Sequence, residues 1–496
     1  MSQINISHLT FAYEGSWDNI FEDVSFQIDT DWRLGFIGRN GRGKTTFLNL
    51  LMGKYEYKGS ISSPVPFEYF PYEVTDKTLP AIDIISRINP HFQMWELERE
   101  LSMLDLEEEV LNRPFGTLSN GEQTKMLLAA LFLKETSFLL IDEPTNHLDI
   151  DARRVVSDYL RSKSGFILVS HDRSFLDHCA DHILSINKTN IEVQKGNFSS
   201  WWENKRRQDN FELDQNEKLK KDIKRLQAAA RRTAEWAEKA EGTKIGFDPA
   251  VTDNSKGRRA YIGEKSRKMM KRSKNIGQRQ QSAIEEKSQL LKNIDRTDSL
   301  KITPLAYHKQ RLLELNDVSV FYSQKQACRG VSFFIEQGER IALQGKNGSG
   351  KTSLIKLICG DPLDYTGNLH IGSRLAVSCV TQDTSYLKGN LWDFAAENHI
   401  DQSLFMSILR KLDFSRAQFE KDVGDYSEGQ KKKVLIAKSL CENAHLYVWD
   451  EPLNFIDVFS RMQIEELLME FKPTILFVEH DLSFTEKIAT KVVHLE

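Results

Sequence analysis

The chain has 496 residues, 40% of them hydrophobic and 28% charged, with a net charge of −4. That length leaves room for about three domains, each able to bury a core of its own. The apolar run from Leu127 to Leu133 has seven residues where a membrane helix needs roughly 20, so no span is expected, which argues against a pump.

The opening residues lack a basic start followed by a long apolar core, so no secretion signal is expected either and the chain reads as cytoplasmic. Ile4 to Tyr13 and Val24 to Ile28 alternate like strands, and Leu34 to Ile37 runs apolar into a glycine-rich loop. The loop, Gly38-Arg39-Asn40-Gly41-Arg42-Gly43-Lys44-Thr45, is followed by helical spacing from Thr45 to Leu51. Further on come Leu118-Ser119-Asn120-Gly121-Glu122-Gln123, then an apolar run ending in Asp142-Glu143-Pro144, then His171 after a second apolar run. Residues 311 to 496 repeat the order, with Gly345-Lys346-Asn347-Gly348-Ser349-Gly350-Lys351-Thr352, Tyr426-Ser427-Glu428-Gly429-Gln430, Asp450-Glu451-Pro452 and His480. Lys44 and Lys351 are 307 residues apart, Ser119 and Ser427 308, Asp142 and Asp450 308, and His171 and His480 309. Such constant spacing means that one module was duplicated whole. Strand, loop, helix, strand in each copy implies an α/β fold with a mainly parallel sheet flanked by helices.

Between the copies, Trp201 to Glu241 contains no Gly or Pro and reads as one long helix with an apolar stripe at Leu219, Ile223, Leu226 and Ala230. Glycines and Pro249 break it over 242–263, and a second helix is expected from about Glu264 to Asp295. Matching stripes and a glycine-rich turn imply an antiparallel helical hairpin. The domains are accordingly 1–198, a basic linker 199–303 with its tip near 242–263, and 304–496.

A phosphate cradle needs small residues so that backbone N–H groups can converge on the anion, with a helix N-terminus behind them and a lysine for the outer phosphates. Both loops meet this need through Gly38, Asn40, Gly41, Gly43, Lys44, Thr45 and Thr46, and through Gly345, Asn347, Gly348, Gly350, Lys351, Thr352 and Ser353. ATP is the expected ligand, with Mg²⁺ as its cation. The carboxylates at the strand ends suit it: Asp142 and Asp450 would hold Mg²⁺ with Thr45 and Thr352, and Glu143 and Glu451 would polarise a water, with His171 and His480 near the γ-phosphate. Tyr13 and Tyr322 precede their loops and could stack on adenine, a reading that competes with plain core packing. The five cysteines, Cys179, Cys328, Cys359, Cys379 and Cys441, show no ligand spacing and read as reduced buried thiols.

These motifs are similar to those of ATP-binding cassette proteins. In that family two cassettes close head to tail, which would set Lys44, Asp142 and Glu143 against Ser427, Gly429 and Gln430, and Lys351, Asp450 and Glu451 against Ser119, Gly121 and Glu122. Two cassettes in one chain with a charged helical linker and no membrane domain resemble the ABC-F subfamily, and the stretches Asp142 to Asp149, Met270 to Lys274 and Trp449 to Asn454 are most similar to the Lsa-type antibiotic resistance proteins. Where the family has Gln after the first loop this chain has Tyr72, while Gln382, a further Mg²⁺ contact, stands in the second copy. The second D-loop, Leu453-Asn454-Phe455-Ile456-Asp457, also departs from Thr145-Asn146-His147-Leu148-Asp149, so unequal hydrolysis at the two sites is expected.

Residues 201 to 296 hold 25 Lys or Arg against 15 Asp or Glu, leaving the remainder of the chain at −14. A basic middle favours phosphate backbones over a mere solvated spacer. The RNA-facing candidates are Arg231, Arg232, Lys244, Phe247, Arg258, Arg259, Lys265, Arg267, Lys268, Lys271, Arg272 and Lys274. The resemblance implies a ribosome partner (large-subunit rRNA at the tRNA exit site, and peptidyl-site tRNA), and protection against lincosamides, streptogramin A compounds and pleuromutilins. A monomer whose cassettes pair with each other, and no membrane partner, goes with it. A housekeeping ABC-F translation factor, the ATPase subunit of an efflux transporter and a DNA-maintenance ATPase remain as alternative readings.

Overall fold

Apolar alternation builds the first strands: Ile4, Ile6, Leu9 and Phe11 of β1 (Gln3–Phe11) are buried while the residues between them face outward. The first half continues with β2 (Phe21–Asp29), β3 (Arg33–Ile37), β4 (Lys58–Ser62), β5 (Phe67–Phe70), β6 (Phe138–Asp142), β7 (Phe166–Val169), β8 (His182–Asn187) and β9 (Asn190–Lys195). The second half holds β10 (Arg311–Tyr322), β11 (Lys325–Glu336), β12 (Arg340–Gln344), β13 (Asp364–Ile371), β14 (Val377–Val380), β15 (Leu446–Asp450), β16 (Ile475–Val478) and β17 (Lys491–His494). In a computed structural model of the chain, residues 2–245 and 300–495 are described except 16–18, 135, 147, 188–189 and 323–324, together with 264, 267, 268, 271, 274–276, 278 and 279.

Each half carries two sheets. One has the order β5-β6-β7-β3-β8-β9, parallel except for the β8–β9 pair, and its counterpart is β14-β15-β16-β12-β17, parallel throughout. Strands β7 and β16 are apolar along their whole length, and β6 and β15 up to their closing Asp, because both faces are covered. The expected mainly parallel sheet is therefore present, but each half adds a three-stranded antiparallel sheet, β2-β1-β4 and β11-β10-β13. That second layer is a correction: its strands are separated in sequence by the glycine loop and its helix, so period-two alternation alone does not reveal their pairing.

Cys359 and Cys379 are joined by a disulfide, with Cα atoms 6.6 Å apart. This corrects the reading of five reduced thiols; Cys179 and Cys328 remain free and buried and Cys441 free and half-buried. Linear spacing hides the pairing, because it arises where the helix Lys351–Cys359 ends against β14.

The chain divides into two compact units, Met1–Trp201 with Thr297–Glu496, and Trp202–Arg296. Both repeats thus share one unit. The helix Phe198–Ile245 has 48 residues, or roughly 70 Å at 1.5 Å per residue, and runs through Gly242, where a break was expected. Ion pairs one turn apart, Glu203–Arg207 at 2.6 Å and Lys205–Asp209 at 3.1 Å, support its polar face. Phe247, Arg258, Arg259, Lys265 and Arg272 lie outside the described residues, as does most of the expected second helix. Arg231, Arg232, Arg267, Lys268, Lys271 and Lys274 are exposed, and Lys244 lies within the last turn of the long helix.

Candidate nucleotide sites

The two glycine loops fold alike because each must turn sharply into its helix. Gly43 and Gly350 cap the helices Lys44–Leu51 and Lys351–Cys359 with φ of 95° and 87°. A Cβ on Gly350 would sit 2.4 Å from the Ala327 carbonyl oxygen, so only glycine fits there. Lys44 Nζ donates to the carbonyls of Gly38 at 2.8 Å and Arg39 at 3.4 Å and to Asn40 Oδ1 at 3.3 Å; Lys351 Nζ donates to those of Gly345 and Lys346 at 2.8 Å. Burial lowers the pKa of both lysines.

Glu143 and Glu451 each follow their strand in the left-handed region, at φ 50° and 46°. A side chain rarely adopts that backbone, and the same strain recurs in both copies. Glu143 Oε1 lies 2.9 Å from His171 Nε2 and its Oε2 accepts from Asn146 Nδ2 at 2.7 Å. Glu451 Oε1 lies 3.4 Å from His480 Nε2, and its Oε2 accepts from Asn454 Nδ2 at 2.5 Å and from Gln382 Nε2 at 2.9 Å. Burial pushes Glu143 and Glu451 up, but these contacts more than offset it and hold both below the ordinary carboxylate range. Burial and the adjacent Glu drive the other member of each pair the opposite way: Asp142 is raised, and Asp450 is pushed up to about 6. Each site therefore contains one readily ionised and one reluctant carboxylate, and a cation beside the latter would relieve its cost of ionisation. The Asp450 oxygens are buried without a hydrogen-bond partner, and Thr352 Oγ1 lies 3.5 Å from Gln382 Oε1, a donor set that fits Mg²⁺.

The halves meet at these loops. Asn40 Nδ2 donates to the Phe455 carbonyl at 2.7 Å, and a Cβ on Gly429 would lie 2.3 Å from that oxygen and 2.8 Å from Asn40 Nδ2. Arg39 and Arg42 pair with Asp413 at 3.4 and 3.5 Å, and Arg173 pairs with Glu465. On the opposite side a cavity of about 1180 Å³ is lined by Ser119, Gly121, Asp149, Tyr322, Lys351, Thr352, Gln382, Glu451 and His480, together with Asn347, Gly348, Gly350, Ser353 and Glu122. Head-to-tail pairing of loop and signature follows on both sides.

The family described as ABC transporter matches the chain twice, at residues 21–146 and 328–454. The chain belongs to the ATP-binding cassette family. It is an ATPase, and no helix among the described residues is long and apolar enough to cross a membrane. It is 28% identical over 492 residues to the ribosome protection protein VmlR of Bacillus subtilis (strain 168), covering 96% of this chain and 84% of that one. It is 23% identical over 531 residues to the energy-dependent translational throttle protein EttA of Haemophilus influenzae, with 96% and 89% covered. A solved RNase-L Inhibitor structure shares the fold, with a TM-score of 0.61, 18% identity, and 98% of this chain and 87% of that chain covered. The ABC-F resemblance read from the motifs agrees with these relatives.

Other candidate residues of this cassette protein lie at the signature helices and beside the loops. Ser119 and Ser427 cap the helices Asn120–Phe132 and Glu428–Cys441, and Glu122 Oε2 and Gln430 Oε1 accept from the serine N–H groups at 2.7 and 3.0 Å. Glu122 and Gln430 are thus committed to fixing the signature helix ends. Tyr13 is 44% exposed, and its OH lies 2.8 Å from Thr46 Oγ1, beside the first loop; Tyr322 is equally exposed and faces the cavity. Tyr72 is exposed at the position of the expected Gln, and a different residue, Tyr69, donates to Asp142 Oδ2 at 3.0 Å. Tyr69 was missed because it lies on β5, three residues before the position that the motif singles out.

Glu479 was missed too. It is 4% exposed, accepts from the N–H groups of Leu453 at 2.7 Å and His480 at 3.2 Å, and burial pushes it up to about 7. The folded carboxyl therefore holds its proton more tightly than the unfolded one, whose ordinary value is 4.5, so its contribution to stability is complete below that pH and is lost as pH rises through about 7. Glu479→Gln should flatten this dependence. In thermal melts at pH 5 and pH 8, the loss of stability assigned to this group, on the order of 3 kcal/mol, should disappear in the variant. An unchanged gap between the two melts would contradict the assignment.

Proposed function

We propose that this ABC protein is an ATP-switched, ribosome-binding factor of the cytoplasm that protects ribosomes against lincosamide, streptogramin A and pleuromutilin antibiotics. The observation that carries the reading is a basic helical arm set between two cassettes whose nucleotide sites are each shared across the pair. Such a design lets nucleotide state change the geometry of the pair and so the orientation of the arm. The near end-to-end likeness to a protein named for ribosome protection supports the choice of partner. In this reading the protein enters the tRNA exit site as a monomer, and the arm reaches the peptidyl-site tRNA and large-subunit rRNA through Arg231, Arg232, Lys268 and their basic neighbours.

In the sites, the loops hold the phosphates of ATP through backbone N–H groups, with Lys44 and Lys351 on the outer oxygens. Thr45 with Asp142, and Thr352 with Asp450 and Gln382, would hold Mg²⁺, which neutralises charge on the phosphates when bound. Glu143 and Glu451 orient and polarise the attacking water, and His171 and His480 fix those carboxylates. Ser427 with Gly429, and Ser119 with Gly121, complete each site from the opposite cassette.

A susceptible bacterium expressing the protein should gain resistance to these three drug classes, and a variant with the arm shortened across 242–263 should lose it. The likeness to EttA favours a second reading, a translation factor without a drug role. Unchanged susceptibility together with intact ribosome binding would select it.

A further inference from the structure

We propose that Tyr69 is the positioning residue for the Mg²⁺-holding carboxylate of the first nucleotide site. The inference rests on Asp142 being that carboxylate. Asp142 Oδ2 accepts two hydrogen bonds at 3.0 Å, one from Thr45 Oγ1 and one from Tyr69 OH, which fixes the rotation of the group and leaves Oδ1 without either donor. Strand register makes this possible. Tyr69 stands opposite Leu140 on the neighbouring strand, two residues before Asp142. Lys54 Nζ lies 5.5 Å from the centroid of the Tyr69 ring and helps keep the ring in place.

The second cassette solves the same problem differently. By register Cys379, opposite Val448, takes the place of Tyr69; it is tied to Cys359 and offers no donor, and the Asp450 oxygens have no hydrogen-bond partner. Three residues later, Gln382 instead spans Thr352 and Glu451. In the first cassette that later position holds the exposed Tyr72. The two copies thus carry one orienting side chain each, on the Asp in the first site and on the Glu in the second. The first site is built to keep its cation and the second to align its water.

The test uses the full chain with Lys351→Ala, which silences the second loop, and follows binding of fluorescent mant-ADP while Mg²⁺ is titrated. Outer-shell partners of a metal site change affinity by roughly 10–100-fold, so Tyr69→Phe should raise the half-saturating Mg²⁺ concentration by about tenfold. Binding of mant-ADP in EDTA and the melting temperature should not move, and Tyr72→Phe should change nothing. A midpoint within about twofold of the parent overturns the inference and leaves Asp142 in its role. An equal loss in EDTA also overturns it, by reducing Tyr69 to packing. A parent that binds without any dependence on Mg²⁺ removes the reading of Asp142 itself, and the inference with it.

Discussion

The double variant Glu143→Gln, Glu451→Gln should bind ATP, lose at least about 100-fold in turnover and remain on ribosomes when ATP is supplied. A positioned general base contributes about 10²- to 10⁴-fold, and Gln keeps the shape of Glu while removing the acceptor charge. Both glutamates occupy the same left-handed backbone turn and the same His–Asn clamp, at 2.9 and 2.7 Å in one site and 3.4 and 2.5 Å in the other. The substitution should therefore leave nucleotide binding intact and block only its exit through hydrolysis. Sedimentation through a sucrose cushion reads the outcome: the double variant in the ribosomal pellet with ATP and in the supernatant without it. If it stays in the supernatant under both conditions, a nucleotide-gated ribosome factor is the wrong reading.

The single variants should differ from each other. Glu451→Gln is expected to lower steady-state ATP turnover by about tenfold or more, while Glu143→Gln lowers it by less than about threefold. Gln382 Nε2 reaches Glu451 at 2.9 Å and its amide oxygen faces Thr352, so the second site couples the carboxylate proposed to polarise the water to Thr352 of the second loop. Glu143 has no such link, because the corresponding Tyr72 points into solvent and Tyr69 is spent on Asp142. At the first site Asn40 bonds to the Phe455 carbonyl and Gly429 is pressed against both. Closure there depends on the second D-loop, whose Phe455 takes a φ of 61°. Equal losses in the two single variants, measured as phosphate release under saturating ATP, would remove this account of the asymmetry.

Much of the chemistry was legible from residue spacing. Gly43, Gly350, Lys44 and Lys351 are bound to their loop by sterics and phosphate geometry, so the motif leaves little freedom in where they lie. The strand-end pairs Asp142–Glu143 and Asp450–Glu451 were legible for the same reason, since an apolar run that ends in carboxylates places them at a sheet edge. The head-to-tail meeting of the halves came from the family resemblance, and what escaped was the particular side-chain contacts made across strands and between distant segments. Tyr69 is separated from Asp142 by 73 positions, and Cys359 from Cys379 by a helix end and a strand. Asn40 and Phe455 are 415 residues apart, and Glu479 reads as an unremarkable neighbour of a histidine until its burial is seen.

The sequence by itself determined a duplicated, nucleotide-binding α/β module, a long charged helix between the copies and the residue types at each phosphate site, because backbone sterics and anion chemistry admit few alternatives at those spacings. Which side chain orients each carboxylate became visible only in the folded chain. Those outcomes depend on strand register and on packing between distant segments: at one register position the first copy sets the Tyr69 phenol beside its aspartate strand and the second sets the disulfide-bonded Cys379.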